Sequence, residues 1–274
     1  TDNSNPLNIS KGNPGLKPTF SSSVEVTFQN YITETQRTFN VSGSFSNTLR
    51  NISQKTLYDE TTGVTTTQPV NMSGFWSNWN SRANFTYNSP FQFNTKYKIS
   101  SQSSVQYSHT EGYLRSRGQQ SASGESLLST TKSTTLSETL TASYMSDWLE
   151  VRMNGRLNYR HSRNNLQENG NLDTYNFSYG PNISVITQWH NFRVSTNAVM
   201  QSRRGYSSSA ANTDEFVWNA QASISMFKRN AGTLSLQWND ILNRESNITR
   251  QVSTTSRTDT RTNTVHSYAM LHFI

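Results

Sequence analysis

Leu149, Val151, Met153, Gly155, Leu157 and Tyr159 are apolar or small, and Glu150, Arg152, Asn154, Arg156, Asn158 and Arg160 stand between them. Successive side chains of a strand point to opposite faces, so the stretch predicts a strand with one apolar wall and one charged wall. It is longer than a typical globular strand of about 5–6 residues. It reaches the roughly 9–11 tilted residues that cross a bilayer. Apolar outside and polar inside is the pattern of a barrel wall in a membrane.

The rhythm recurs along the chain. Phe20, Val24, Val26, Phe28 form one row, and Phe39, Val41, Gly43, Phe45 a second. Further rows are Ala83, Phe85, Tyr87, then Phe91, Phe93, Tyr97, Ile99, then Leu136, Leu140, Ala142, Tyr144. Tyr175 to Trp189, Phe192 to Met200, Phe216 to Met226, Leu234 to Trp238 and Ala269 to Phe273 complete the series. Period-two alternation thus predicts about eleven strands.

The connections alternate too. Tight turns are expected at 89–90, 146–147, 190–191 and 228–232, and long polar connections at about 112–126, 161–174, 202–214 and 239–263. Outer-membrane barrels sort their loops in this way, with short periplasmic turns and longer extracellular loops. The turn at 59–63 falls on the long side and reads as the tip of a projecting hairpin. Within 239–263, Asn239 or Asp240 is placed to cap a short helical turn. Trp148, Trp189, Phe192 and Phe227 sit beside the short turns, where a lower aromatic girdle belongs. Trp218 stands ten positions before Lys228. At ~3.4 Å per residue and a 45° tilt this is roughly 24 Å, which puts Trp218 at the upper girdle of a ~25 Å apolar band.

Composition narrows the class. Only 32% of the 274 residues are hydrophobic, against the ~45–50% of a soluble domain. No run of about 18 apolar residues exists to form a membrane helix. Aromatics at 11% argue against disorder. There are no cysteines, hence no disulfides or thiolate metal sites. The net charge of +7 is dispersed rather than gathered into a nucleic-acid module, so attraction to anionic headgroups or an anionic solute is the reading beyond simple solvation. An even strand number is the rule for bacterial barrels. About eleven strands therefore imply an all-β transmembrane antiparallel barrel of which this chain is the C-terminal part. The chain opens on a polar stretch without a signal peptide, which fits the same expectation.

Two stretches carry a family resemblance. Gly12, Asn13, Pro14, Gly15, Leu16, Lys17 and Pro18 resemble the GNPxLKP segment that opens a barrel strand in TonB-dependent outer-membrane receptors. Asn239, Asp240, Ile241, Leu242, Asn243, then Ile248, Thr249, Arg250, then Tyr268 to Phe273, are similar to the C-terminal region of the Bacteroidetes-type outer-membrane β-barrel family. The resemblance implies a barrel of about 22 strands with a plugged lumen, in the bacterial outer membrane, importing a nutrient with the TonB system. It also implies an N-terminal plug and further strands, outer-membrane lipid and lipopolysaccharide around the wall, and in some members a surface lipoprotein partner. The family usually ends on an aromatic residue; here Phe273 is followed by Ile274.

No chemistry of catalysis is readable. The histidines have no metal-ligand spacing, no nucleophile elbow occurs, and no phosphate-binding loop is present. The chain is therefore read as a non-enzyme without cofactors or metal. The row Glu150, Arg152, Arg156, Arg160 is singled out as lumen-facing. It would form a hydrated wall, a seat for plug carboxylates, or a path for an anionic solute. Arg203 and Arg204 are candidates for lipopolysaccharide phosphates. A non-transporting scaffold barrel and a soluble extracellular all-β adhesin are the alternative functions.

Overall fold

The computed structural model describes the chain apart from Thr1, Glu60, 92–93, 115–125, 167–171, 188–190, 207–208, 210–211, 228–230, 246–247, 253–256, 263–264 and His266. Eleven strands form one antiparallel sheet. In spatial order they are β3 (Phe20–Ile32), β4 (Arg37–Leu49), β7 (Asn78–Phe91), β8 (Asn94–Leu114), β9 (Leu127–Met145), β10 (Leu149–Asn164), β11 (Leu172–Thr187), β12 (Phe192–Arg204), β13 (Asp214–Met226), β14 (Gly232–Asn239) and β17 (Tyr268–Phe273). The sheet is open, with β3 and β17 at its edges.

Register explains why these sequences pair. Directly opposed residues share a face. Val24 faces Phe45, Val41 faces Phe85 and Ala83 faces Val105. Val105 faces Leu136, which faces Tyr159, which faces Tyr175. Met200 faces Phe216, and Leu236 faces Leu271. The rows read from sequence thus join into one apolar surface. Slipping any strand by one residue would turn its apolar row to the opposite face. The other face is Ser, Thr, Asn and Gln, tied across strands by Asn84 Nδ2 to Ser42 Oγ (3.1 Å), Ser137 Oγ to Asn158 Oδ1 (2.6 Å) and Thr141 Oγ1 to Asn154 Oδ1 (3.1 Å).

Neither face is a conventional core. Among the described residues only Met72 and Leu172 are buried hydrophobics, whereas Phe20, Val24, Val26 and Leu140 are each more than half exposed. No second sheet lies on the apolar surface among the described residues. A soluble protein does not leave so large an apolar area to water, so this surface needs hydrocarbon.

The strand ends keep the alternation of short and long connections; of the expected tight turns, His190 and 228–230 lie outside the described residues, and Gly232 already belongs to β14. Residues 89–90 are not the turn. Ser89, Pro90 and Phe91 belong to β7, and β8 begins at Asn94. Pro90 lacks an N–H, and the pairing shifts register between Pro90 and Phe91, as expected of a proline at a bulge. A further tight turn at 33–36 joins β3 to β4, with Gln36 at φ 53°. Several strands also run further than predicted, leaving long connections at 115–126, 165–171, 205–213 and 240–267.

At the long-connection end lies a four-stranded sheet of β1 (Asp2–Asn5), β2 (Asn8–Ser10), β5 (Ile52–Tyr58) and β6 (Thr65–Asn71). Its β5–β6 hairpin carries the 59–63 tip. There the Asp59 carboxylate accepts from Thr62 Oγ1 and Thr61 N, both at 2.9 Å. The 12–18 segment crosses this sheet before entering β3. Asn13 Nδ2 donates to Pro69 O (3.0 Å), and Lys17 N donates to Asn71 Oδ1 (2.7 Å). The connection after β14 begins with a turn rather than a helix. Buried Asp240, at φ 42°, accepts from Arg244 N (3.0 Å) and Glu245 N (2.9 Å). Beyond it stands the hairpin β15 (Ile248–Val252) and β16 (Arg257–Arg261).

One strand opens locally. The β11–β12 ladder passes from Tyr179 opposite Met200 to Asn182 opposite Asn197, leaving out Gly180 and Pro181. Proline supplies no N–H to that ladder. A Cβ on Gly180 would overlap the Ala198 carbonyl oxygen, so glycine lets the β12 backbone approach β11 closely there.

Candidate functional site on the polar face

The polar face of β7 to β12 carries Arg82, Lys98, Arg152, Arg156, Arg160 and Arg193, and it is the candidate site. The alternation of β10 puts Glu150, Arg152, Arg156 and Arg160 on this one face, four residues between successive arginines. That spacing sets them roughly 9 Å apart in height on a strand tilted by 45°.

The rungs join neighbouring strands. Arg152 lies opposite Ser143, which lies opposite Lys98. Higher up, Arg160 lies opposite Thr135, Thr135 opposite Gln106, and Gln106 opposite Arg82. Arg152 Nη2 donates to Glu150 Oε1 at 2.7 Å, and Arg160 Nε to Ser133 Oγ at 3.4 Å. Arg156 is exposed and has no hydrogen-bond or ionic partner among the described residues.

Concavities lie along this face. A hollow of about 570 Å³ near the short-turn end is lined by Tyr31, Lys98, Thr141, Ser143, Arg152 and Asn154. One of about 280 Å³ higher up is lined by Thr135, Asn158, Arg160, Thr174, Asn176 and Tyr206. Such walls offer guanidinium donors to carboxylates or phosphates.

The aromatic positions divide by end. Trp148 and Phe227 are well exposed beside the 146–148 turn and after β13, and Phe192 starts β12. Trp189 lies outside the described residues. The sequence reading left out Phe91, Tyr97 and Tyr144, which join the same end through Phe91–Tyr97 (6.3 Å) and Tyr97–Tyr144 (4.8 Å) ring contacts. Trp218 is on the apolar face and donates through Nε1 to Thr196 Oγ1 at 2.7 Å. At the far end Trp76, Trp79 and Tyr107 form a ring chain, and Tyr159 stacks on Tyr175 at 4.7 Å.

Arg203 and Arg204 point to opposite faces, and each meets an acid. Arg203 lies 3.4 Å from the buried Glu215, and Arg204 is 2.5 Å from Asp214. Arg163 and His161 likewise hold Asp173, at 2.7 and 2.5 Å. Hydrogen bonds from Arg163 and then His161 lower the Asp173 pKa, and those from Arg204 and then Ser202 lower that of Asp214. A carboxylate with a lowered folded pKa stabilises above its ordinary value near 3.8 and stops doing so as pH falls through the folded value. Around Asp214, whose partners Arg204 and Ser202 keep their charge state over this range, protection of Ser202, Arg204 and Asp214 in hydrogen exchange, corrected for intrinsic rates, should therefore be constant from neutral pH to about pH 4 and fall only below it.

Strand length, alternation and sorted connections define this chain as a wall of a transmembrane β-barrel. A model of the outer membrane protein beta-barrel family matches residues 1–146. The chain belongs to that family, which points to the bacterial outer membrane. No curated protein and no solved structure matches it.

Proposed function

We propose that the chain is part of an outer-membrane receptor that imports a solute with the TonB system. The apolar face meets lipid, and the polar face lines the lumen. The observation that carries this reading is the open eleven-stranded sheet. Unpaired edges in hydrocarbon cost several kcal/mol per backbone group, so β3 and β17 are closed by further strands. Eleven more give the roughly 22-stranded barrel whose lumen is plugged. The 12–18 segment entering β3 supports the receptor type.

In this reading the long connections capture the solute, and the Arg152, Arg156, Arg160 ladder seats the plug through carboxylates. Movement of the plug, driven from the inner membrane, opens the path. The chain performs no bond chemistry and holds no cofactor. Lipid and lipopolysaccharide surround it, and a surface lipoprotein is a candidate cap.

A photo-crosslinking residue at position 156 of the full-length protein tests this in cells. Crosslinking within one polypeptide, to an N-terminal plug, is expected. Crosslinking to a separate protein would replace import with the scaffold function, and crosslinking to lipid would invert the two faces.

A further inference from the structure

Glu138 interrupts the apolar row of β9. It stands between Leu136 and Leu140, opposite Leu157 on β10 and Ser103 on β8. Six residues separate it from Tyr144 toward the short turns, and six from Lys132 toward the long connections. It therefore lies at mid-height of the band that hydrocarbon covers. Among the described residues of the apolar face it is the only carboxylate or cationic side chain between the two aromatic belts. An ionisable group at that depth is costly and marks a contact or a pathway.

Its neighbours show what it wants. Ser101 Oγ donates to Glu138 Oε1 at 2.9 Å. Among the described residues the other carboxyl oxygen has no donor, and Ser103 has no acceptor for its hydroxyl. Lipid tails supply neither. The patch thus carries one free donor and one free acceptor side by side, which is the condition for a self-complementary two-fold contact. Gly155, diagonal to Glu138 on β10, leaves room for close approach: nothing lies within 4 Å of where its Cβ would be. Val105, Leu136, Leu140 and Leu157, each at least 39% exposed, frame the polar centre. Small and polar residues set in an apolar surround are what joins membrane segments.

We propose that the outer faces of β8 and β9 form a two-fold contact between two copies of this chain in the membrane. Ser103 of each copy donates to the partner's Glu138. This inference rests on the apolar face meeting lipid, as proposed above.

The test is native mass spectrometry of the full-length protein released from lipid nanodiscs, with heat-modifiable gel mobility as a separate check of insertion. The wild type should be dimeric. Glu138→Leu and Ser103→Ala should each weaken association at least tenfold while keeping the mobility of an inserted barrel. Val194→Thr, on the same face three strands away, should remain dimeric. A wild type that is monomeric throughout, dimers unaffected by Glu138→Leu, or a different polypeptide bound at position 138 would each overturn the contact. Failure of the wild type to show heat-modifiable mobility would instead remove the lipid assignment itself.

Discussion

Phe85→Arg is expected to cost about 2–4 kcal/mol of insertion free energy, the range for a cation at mid-depth on a lipid-facing wall. Phe85 is six residues from Phe91 at one end of β7 and six from Trp79 at the other. It lies opposite Val41 and Ser103 and packs edge-on against Phe39 at 5.2 Å. An arginine there cannot reach either interface without bending β7 out of its ladder. Leu149→Arg and Val185→Arg fall on the same face, and the two residues oppose each other. Leu149 follows Trp148 directly at the short-turn end, so these substitutions should cost only about 0–1 kcal/mol. Arg152→Glu combined with Arg156→Glu changes the other face and should leave insertion intact, since lumen positions tolerate charge. Urea titration of the full-length protein refolded into liposomes, read by gel mobility, ranks all four. Phe85→Arg inserting as well as the wild type would take the apolar face out of the bilayer.

The sequence reveals a strand only where the two faces differ. Between the aromatic belts one face is apolar and the other polar, and the described residues of the rows read there lie in the main sheet. Above the upper belt both faces are polar. Residues 161–164 and 172–174 therefore read as loop, although 161–162 pair with 172–173 across β10 and β11 and 163–164 pair with β9. Their stability comes from local polar contacts, such as Asn164 Nδ2 donating to Ser129 Oγ and Thr131 Oγ1 at 2.8 Å. Periodicity of apolar residues is blind to that. The short strands β1, β2, β5 and β6 escape for the same reason, and their β2–β6 pairing is parallel and distant in sequence. At the candidate site, alternation groups Glu150 with the three arginines of β10. It says nothing of Lys98 and Arg82, which only the registers of β7, β8 and β9 bring into the same rungs. Glu138 shows the converse. A row that tolerates one exception on paper hides the residue whose environment is least ordinary.

The second large effect is expected at a glycine. Gly180→Val should destabilise the barrel by about 1–3 kcal/mol, the range for forcing extra carbons into filled space. The added side chain meets the backbone of Ala198 rather than the end of a flexible side chain. β12 would have to move, and its ladder to β11 is already interrupted at Gly180 and Pro181. Gly43→Ala is the matching control. It lies on β4, its Cβ meets nothing, and alanine in a strand is worth roughly 0.5–1 kcal/mol over glycine. The two substitutions should therefore move the urea midpoint of the lipid-inserted protein in opposite directions, down for Gly180→Val and up for Gly43→Ala. Equal midpoints for Gly180→Val and the wild type would mean that the β12 backbone does not close on Gly180 as the geometry shows.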